Sequence, residues 1–309
     1  MKVLRLIESF YPFVTGPASQ AFRISKELEK NRILSPIFTS ASREKDKWVN
    51  VKRFEPKFSI FGLAYTPQMK KAIINEQPDI IHAHNIRTYQ TELAARCAKQ
   101  LDIPLVVSSH GAFMADKDFA KKAFDLFGKA AKDASAIIVS SETEYSVAID
   151  YVDADKLHVI PDGLDMDDFR VKRDKKGKRI LFKGDVAEIQ GHVEGMELRI
   201  IDDQVSADQE LIKEFRNADV FISANNDFSL IQAGAAGLPV IAKDTLFARE
   251  IIDNGRTGYI VEDFSDLKDY IKKANKKMGE RLQEKVREKF DWEEVMMAYE
   301  RLYAKVKGI

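Results

Sequence analysis

Short apolar runs recur along the chain, and several are continuous rather than alternating. They predict strands at Val3–Ile7, Leu34–Thr39, Ile80–Ala83, Leu105–Ser108, Ala136–Val139 and Leu157–Ile160. Further strands are expected at Arg179–Phe182, Glu197–Ile201, Val220–Ser223, Pro239–Ala242 and Gly258–Val261. A run such as Ile137-Ile138-Val139 has no polar alternation, which means burial on both faces and a parallel sheet. Between the runs the period changes to that of a helix. Ala18–Lys30 sets Ala21, Ile24 and Leu28 on one face, Thr91–Leu101 repeats Leu93, Ala94, Cys97 and Leu101, and Phe119–Lys132 carries Phe119, Ala123, Phe124 and Phe127. Strand followed by helix, repeated, is the pattern of a doubly wound α/β sheet.

The densest turn and charge signals lie in Asp162–Lys178, which reads as a linker. It divides the chain into residues 1–162 and a second domain over 163–289. Residues 290–309 form a last helix with Trp292, Val295, Met296, Tyr299, Leu302 and Tyr303 on one side. A stripe that large has to dock, on its own domain or back on the first.

Composition narrows the class. The chain has 309 residues, 45% apolar and 32% charged, with 49 basic and 49 acidic side chains. A zero net charge argues against a dedicated nucleic-acid binder. The lone Cys97 excludes an intrachain disulfide and suits a reducing compartment. The N-terminal segment reads as a first strand, and no run reaches the ~18 apolar residues of a membrane span. The expectation is a cytoplasmic protein. Lys117, Lys121, Lys122, Lys129 and Lys132 beside three phenylalanines raise peripheral contact with the inner membrane surface, against the commoner reading of a solvated basic face.

Candidate chemistry sits where strands end. Gly16, in the turn after the first strand, allows backbone N–H groups to approach an anion, although a purely structural turn explains it equally. His82 and His84 share one strand face, which suits either a metal or a hydrogen-bonded pair at a sheet edge; the short ligand count favours the pair. His110 and Gly111 follow the strand Leu105–Ser108, at the carboxyl end where open α/β sheets bind ligands, although a structural histidine explains the position equally. Ser109 and Asp116 do not complete a Ser-His-Asp triad.

Eight segments in order carry a family resemblance. They are Tyr11-Pro12 to Gly16, Pro78-Asp79 to His84, Val107 to Gly111, and Val159-Ile160-Pro161-Asp162-Gly163 through Phe169. The others are Ala218-Asp219-Val220-Phe221, Ala233 to Val240, Glu250 to Gly258, and Asp291-Trp292. Together they resemble the GT-B glycosyltransferases of family 4, the glycosyl transferases group 1. The resemblance implies two Rossmann-like doubly wound domains facing a cleft, with the last helix crossing back to the first domain. It implies transfer of a sugar from a nucleotide-sugar donor to a glycan or lipid-linked acceptor, with retention and without a required metal or other cofactor. His110 would touch the transferred sugar and the Gly16 loop and Gly111 the donor.

The chain departs from the family pattern in the second domain, which is shorter by about two βα units of ~25–30 residues each. Asp185 stands where the family has an arginine and Gln190 where it has a lysine; both face the donor diphosphate in the family. Gln232 replaces a glutamate that binds the ribose, and Asp227 stands in for the family's catalytic glutamate. Ser229 opens a helix whose backbone N–H groups remain available. Two lost charge-assisted hydrogen bonds cost ~3–6 kcal/mol, or ~10²–10⁴-fold in affinity. The expectation is therefore a glycosyltransferase with ~mM donor affinity, the alternative being a catalytically silent relative that binds a sugar or partners another transferase.

Overall fold

The structure is a computed structural model describing residues 1–10, 16–40, 50–60, 63–114, 129–169, 179–201, 208–225 and 227–309. It divides into two compact units, Met1–Asp162 with Met296–Ile309, and Gly163–Val295.

The first unit is built on β1 (Val3–Ile7), β2 (Ile37–Ser40), β3 (Val51–Phe54), the small hairpin β4 (Phe58–Ile60) and β5 (Leu63–Tyr65), then β6 (Ile80–His84), β7 (Leu105–Ser108), β8 (Ala136–Val139) and β9 (Leu157–Val159). Among the described residues these make a seven-stranded sheet in the order β3-β2-β1-β6-β7-β8-β9, parallel throughout, with β4 and β5 paired separately. β1, β2, β6, β7 and β8 are buried along their whole length, as continuous apolar runs require. The order reverses between β1 and β6, so their carboxyl ends frame the crevice at which such sheets take ligands.

Helices α1 (Gly16–Lys30), α2 (Met69–Glu76), α3 (Tyr89–Leu101), α4 (Lys129–Asp133) and α5 (Glu142–Ala148) connect these strands. α3 starts where Thr88, in extended conformation, accepts from the Thr91 N–H at 3.2 Å. It ends where Asp102 turns left-handed, φ 54°. α5 is capped by Ser141, whose Oγ accepts from the Glu144 N–H at 3.0 Å.

The second unit holds β10 (Arg179–Lys183), β11 (Glu197–Ile200), β12 (Val220–Ser223), β13 (Val240–Lys243) and β14 (Gly258–Val261) in the parallel order β11-β10-β12-β13-β14. Here the reversal falls between β10 and β12. Its helices are α6 (Asp208–Asn217), α7 (Ser229–Ala235), α8 (Leu246–Ile251), α9 (Leu267–Lys273) and α10 (Lys276–Phe290). The last helix, α11 (Trp292–Lys307), begins in this unit and has its residues from Met296 onward in the first.

The structure departs from the sequence reading at four places. Pro36 carries no backbone N–H, so regular pairing of β2 starts at Ile37 and Leu34 makes only an isolated bridge to Lys2. β3 and the β4–β5 hairpin, each of three or four residues, are too short for periodicity to reveal. His82 and His84 lie on β6, an interior strand paired with both β1 and β7, not at a sheet edge. Trp292, expected to be buried, is half-buried and packs over Gly163, where a Cβ would stand 2.5 Å from the indole; Tyr299 is buried. The basic face over Lys117, Lys121 and Lys122 lies outside the described residues, as does most of the predicted helix Phe119–Lys132. No helix among the described residues is long and apolar enough to cross a membrane.

Two glycines set the packing of α10. A Cβ on Gly234 of α7 would stand 2.5 Å from the Val286 side chain. A Cβ on Gly279 would overlap the Gly237 carbonyl oxygen and stand 2.7 Å from its carbon. Backbone cannot yield as a flexible side chain does, so Gly279→Ala is expected to destabilise by about 3 kcal/mol. Urea unfolding of this variant beside wild type checks it; an unchanged midpoint would show that α10 does not approach the Gly237 turn so closely.

Candidate functional site

In the first unit the site is assembled around an arginine. Arg5 lies in the middle of β1 with no solvent exposure. Its Nε donates to Ser35 Oγ at 3.0 Å and its Nη2 to the Tyr303 hydroxyl at 2.9 Å. Nη1 lies 3.0 Å from both His82 Nδ1 and His84 Nε2. Parallel strands in register put these groups together: Arg5 pairs with His82, and a spacing of two keeps His84 on the same face.

The three imidazoles lie nearly parallel. His82 and His84 have centroids 4.4 Å apart at 17°, and His84 and His110 5.2 Å apart at 18°. His82 also contacts the Tyr303 hydroxyl at 2.7 Å through Nδ1 and Ser108 Oγ at 2.8 Å through Nε2. His84 Nδ1 reaches His110 Nε2 at 2.9 Å, and His110 Nδ1 faces Asp162 Oδ1 at 3.7 Å. Burial, reinforced by Arg5 and the neighbouring imidazoles, pushes His82 and His84 well below the ordinary histidine range, so both are neutral. Their ring nitrogens are engaged by protein groups, one of them a cation, and among the described residues no cluster of three His, Cys, Asp or Glu side chains suits a metal.

His110 and Gly111 occupy consecutive left-handed positions, φ 50° and 78°, at the carboxyl end of β7. Gly adopts that conformation freely, whereas His110 has to be held there. Glu144 does much of the holding. Its buried carboxylate accepts from Ser109 Oγ at 2.8 Å, from the Ser140 N–H at 2.8 Å and from the Ser140 hydroxyl at 3.0 Å. Ser109 is thus turned toward Glu144. At the carboxyl end of β1, Glu8 accepts from the Ala64 N–H at 2.8 Å, and burial raises its pKa. Gly16 is the first residue of α1. Asp116 lies outside the described residues, with the loop residues 11–15 that precede Gly16.

In the second unit, the carboxyl ends of β10 and β12 bring Lys183 and Asp227 into an ion pair at 2.6 Å. Asp227 also accepts from the Ser229 N–H at 2.9 Å. Burial pushes the Asp227 carboxyl up, but Lys183 and Ser229 outweigh it and hold the pKa below its ordinary value. α7 is only seven residues long, and Gln232, one turn along it, is half-buried. Asp185 and Gln190 are both exposed. Asp185 accepts from the Ala187 N–H at 3.0 Å and so caps the short turn Val186–Glu188, while Gln190 opens a second such turn. Two other cations are also paired, Lys243 with Glu188 and Arg249 with Asp244.

Comparison with known proteins decides what this arrangement belongs to. The model for Glycosyltransferase Family 4 matches residues 14–168, and that for Glycosyl transferases group 1 matches residues 148–276. The chain belongs to glycosyltransferase family 4. Among curated proteins none matches it. Among solved structures this glycosyltransferase is similar to Anabaena Alr3699/HepE, in a complex with UDP and glucose, at 15% identity and a TM-score of 0.75, over 100% of both chains. It is similar to a glycosyltransferase from Rickettsia africae ESF-5 at 16% identity and a TM-score of 0.71, over 99% of this chain and 98% of that one. It is also similar to sucrose-phosphate synthase from Thermosynechococcus elongatus at 14% identity and a TM-score of 0.71, over 99% of each. These likenesses establish the two-domain α/β fold of the GT-B glycosyltransferases.

Sequence reasoning singled out His82, His84 and His110 but not the groups that organise them. Arg5 had a signal, a charge in the middle of a strand otherwise apolar throughout. Tyr303 had none beyond its place on the apolar stripe, and Glu144 only its place three residues after Ser141.

The buried histidines set a pH dependence. An unfolded histidine takes up a proton near pH 6.5, whereas folded His82 and His84 do so only well below it. Stability is therefore complete above about pH 6.5 and falls with pH below that, by about 1.4 kcal/mol per pH unit for each of the two. Urea unfolding at about pH 7.5, 6.5 and 5.5 reads this slope; a flat profile would show that the pair is not buried neutral.

Proposed function

We propose that the protein transfers a sugar from a nucleotide-sugar donor to a glycan or lipid-linked acceptor, with retention of anomeric configuration and no metal requirement. The observation that carries the donor assignment is Lys183, held by Asp227 at the carboxyl ends of the reversal strands β10 and β12. Open α/β sheets bind nucleotides there. Family membership and the UDP and glucose held by the Anabaena protein support the same reading.

Lys183 supplies the diphosphate with the positive charge that Asp185 and Gln190 do not. Donor binding then exchanges one anion for another: Lys183 releases Asp227 and takes a phosphate oxygen. Asp227 is then a carboxylate at the donor without its cationic partner. The Gln232 amide hydrogen-bonds a ribose hydroxyl, which needs no charge. Gly16 and Gly111 contribute backbone contacts, and His110 hydrogen-bonds the transferred sugar; the Ser229 N–H, expected to be available, is taken by Asp227. The exposed Asp185 and Gln190 favour a second reading, a silent sugar-binding relative.

Calorimetry with a panel of nucleotide-sugars, followed by turnover assays, tests the proposal. UDP or GDP affinity is expected in the ~mM range, from the missing charged contacts. Lys183→Ala should weaken it by about 10–100-fold. Asp227→Asn should strengthen nucleotide binding while lowering transfer, because Lys183 no longer has to exchange partners. His110→Asn, which tolerates the left-handed backbone, should lower transfer with little change in Tm. Binding indifferent to position 183 would defeat the donor assignment, and binding without turnover would establish the silent relative.

A further inference from the structure

The contacts around Arg5 have a direction. A guanidinium only donates, so every atom it touches has to accept. Its Nη1 lies 3.0 Å from His82 Nδ1 and 3.0 Å from His84 Nε2, and with two N–H groups it serves both. Those two nitrogens are therefore bare, and the ring protons sit on the opposite nitrogens. His82 Nε2–H donates to Ser108 Oγ at 2.8 Å. His84 Nδ1–H donates to His110 Nε2 at 2.9 Å. His110 Nε2 is then an acceptor, and the remaining proton of that ring sits on Nδ1. Among the described residues the carboxylate facing that side is Asp162, 3.7 Å away, too far for a direct hydrogen bond, with its side chain 29% exposed.

We propose that Arg5 is a positioning residue which, through His84, fixes His110 as the Nδ1–H tautomer, so that His110 meets substrate as a hydrogen-bond donor to an oxygen and not as a base. The ring arrangement supports this geometry: three nearly parallel imidazoles, two of them without solvent exposure, and the edge-to-edge contact of His84 with His110 leave His110 little freedom to flip. Tyr303 closes the other side, accepting from Arg5 Nη2 at 2.9 Å and donating to His82 Nδ1 at 2.7 Å. The relay gives a reason for a buried cation at the centre of β1. A neutral residue there would leave His84 Nε2 without a donor and its tautomer open.

The substrate half of the inference rests on the proposed glycosyl transfer; the tautomer half does not. Long-range 1H–15N correlation spectra of the 15N-histidine-labelled full chain, near pH 7.5, read the tautomer directly. Wild type is expected to show Nδ1–H at His110, and Nε2–H there would overturn the proposal. His84→Phe keeps a flat ring in place but removes the donor. His110 is then expected to move toward Nε2–H, the form preferred by free imidazole, and transfer at saturating donor to fall at least tenfold. An unchanged His110 tautomer in that variant would also overturn the relay. Arg5→Lys, which keeps the charge but not the fork, is expected to mix the tautomers of His84 and His110, and a single unshifted tautomer would count against Arg5. If the tautomers behave as expected and no nucleotide-sugar is turned over, the functional reading fails and the relay stands.

Discussion

A positive charge sits inside the first sheet, and much of the surrounding structure answers to it. Removing an ion from water costs several kcal/mol even after relaxation, unless its hydrogen bonds are remade inside. Arg5 remakes them with a serine hydroxyl, two imidazoles and a phenol. None of these is an anion, so the compensation comes from dipoles and depends on geometry. That demand ties together parts of the chain far apart in sequence. Ser35 comes from the turn before β2, the histidines from β6, and Tyr303 from α11, 298 residues after Arg5. The end of α11 is thus anchored by a polar contact at a defined position as well as by its apolar stripe.

The same demand explains why the histidines are uncharged. Protonating either one would place a second cation beside Arg5 in a region closed to water. An imidazole offers one accepting and one donating nitrogen, and each side of each ring here meets a group of the right kind. A methyl-lined strand would have been simpler to bury. What the polar cluster adds is a defined orientation of His110, at a backbone conformation that histidine adopts only under constraint.

The sequence carried most of the architecture and only part of the site. Continuous apolar runs located the buried strands, because burial on both faces leaves no room for polar alternation. Val51–Phe54 was not legible, since an edge strand of four residues has too few positions to show a period. The histidines were legible by their spacing, yet their partners were not. Tyr303 reaches Arg5 only once α11 lies on the sheet, and the direction of each hydrogen bond follows from Arg5, which a strand prediction treats as a blemish in an apolar run. In the second unit the reverse happened. Lys183, Lys243 and Arg249 carry their charge in the sequence, but their pairing with Asp227, Glu188 and Asp244 depends on where the chain returns.

The two units therefore handle charge in opposite ways, and the difference bears on ligand binding. In the first, a buried cation is met by neutral groups whose arrangement cannot change without leaving it unsatisfied; such a cluster is rigid and suited to aiming a proton. In the second, cations at the ends of strands are met by carboxylates that remain partly exposed. Such a pair gains little net free energy, because water competes for both partners. A pair of that kind exchanges readily, and an anionic ligand displaces a carboxylate at modest cost. Asp227 and Lys183 sit near the boundary of the two regimes, with the lysine 16% and the aspartate 40% exposed. The more buried partner is the cation, so of the two groups it is the carboxylate that water reaches more easily.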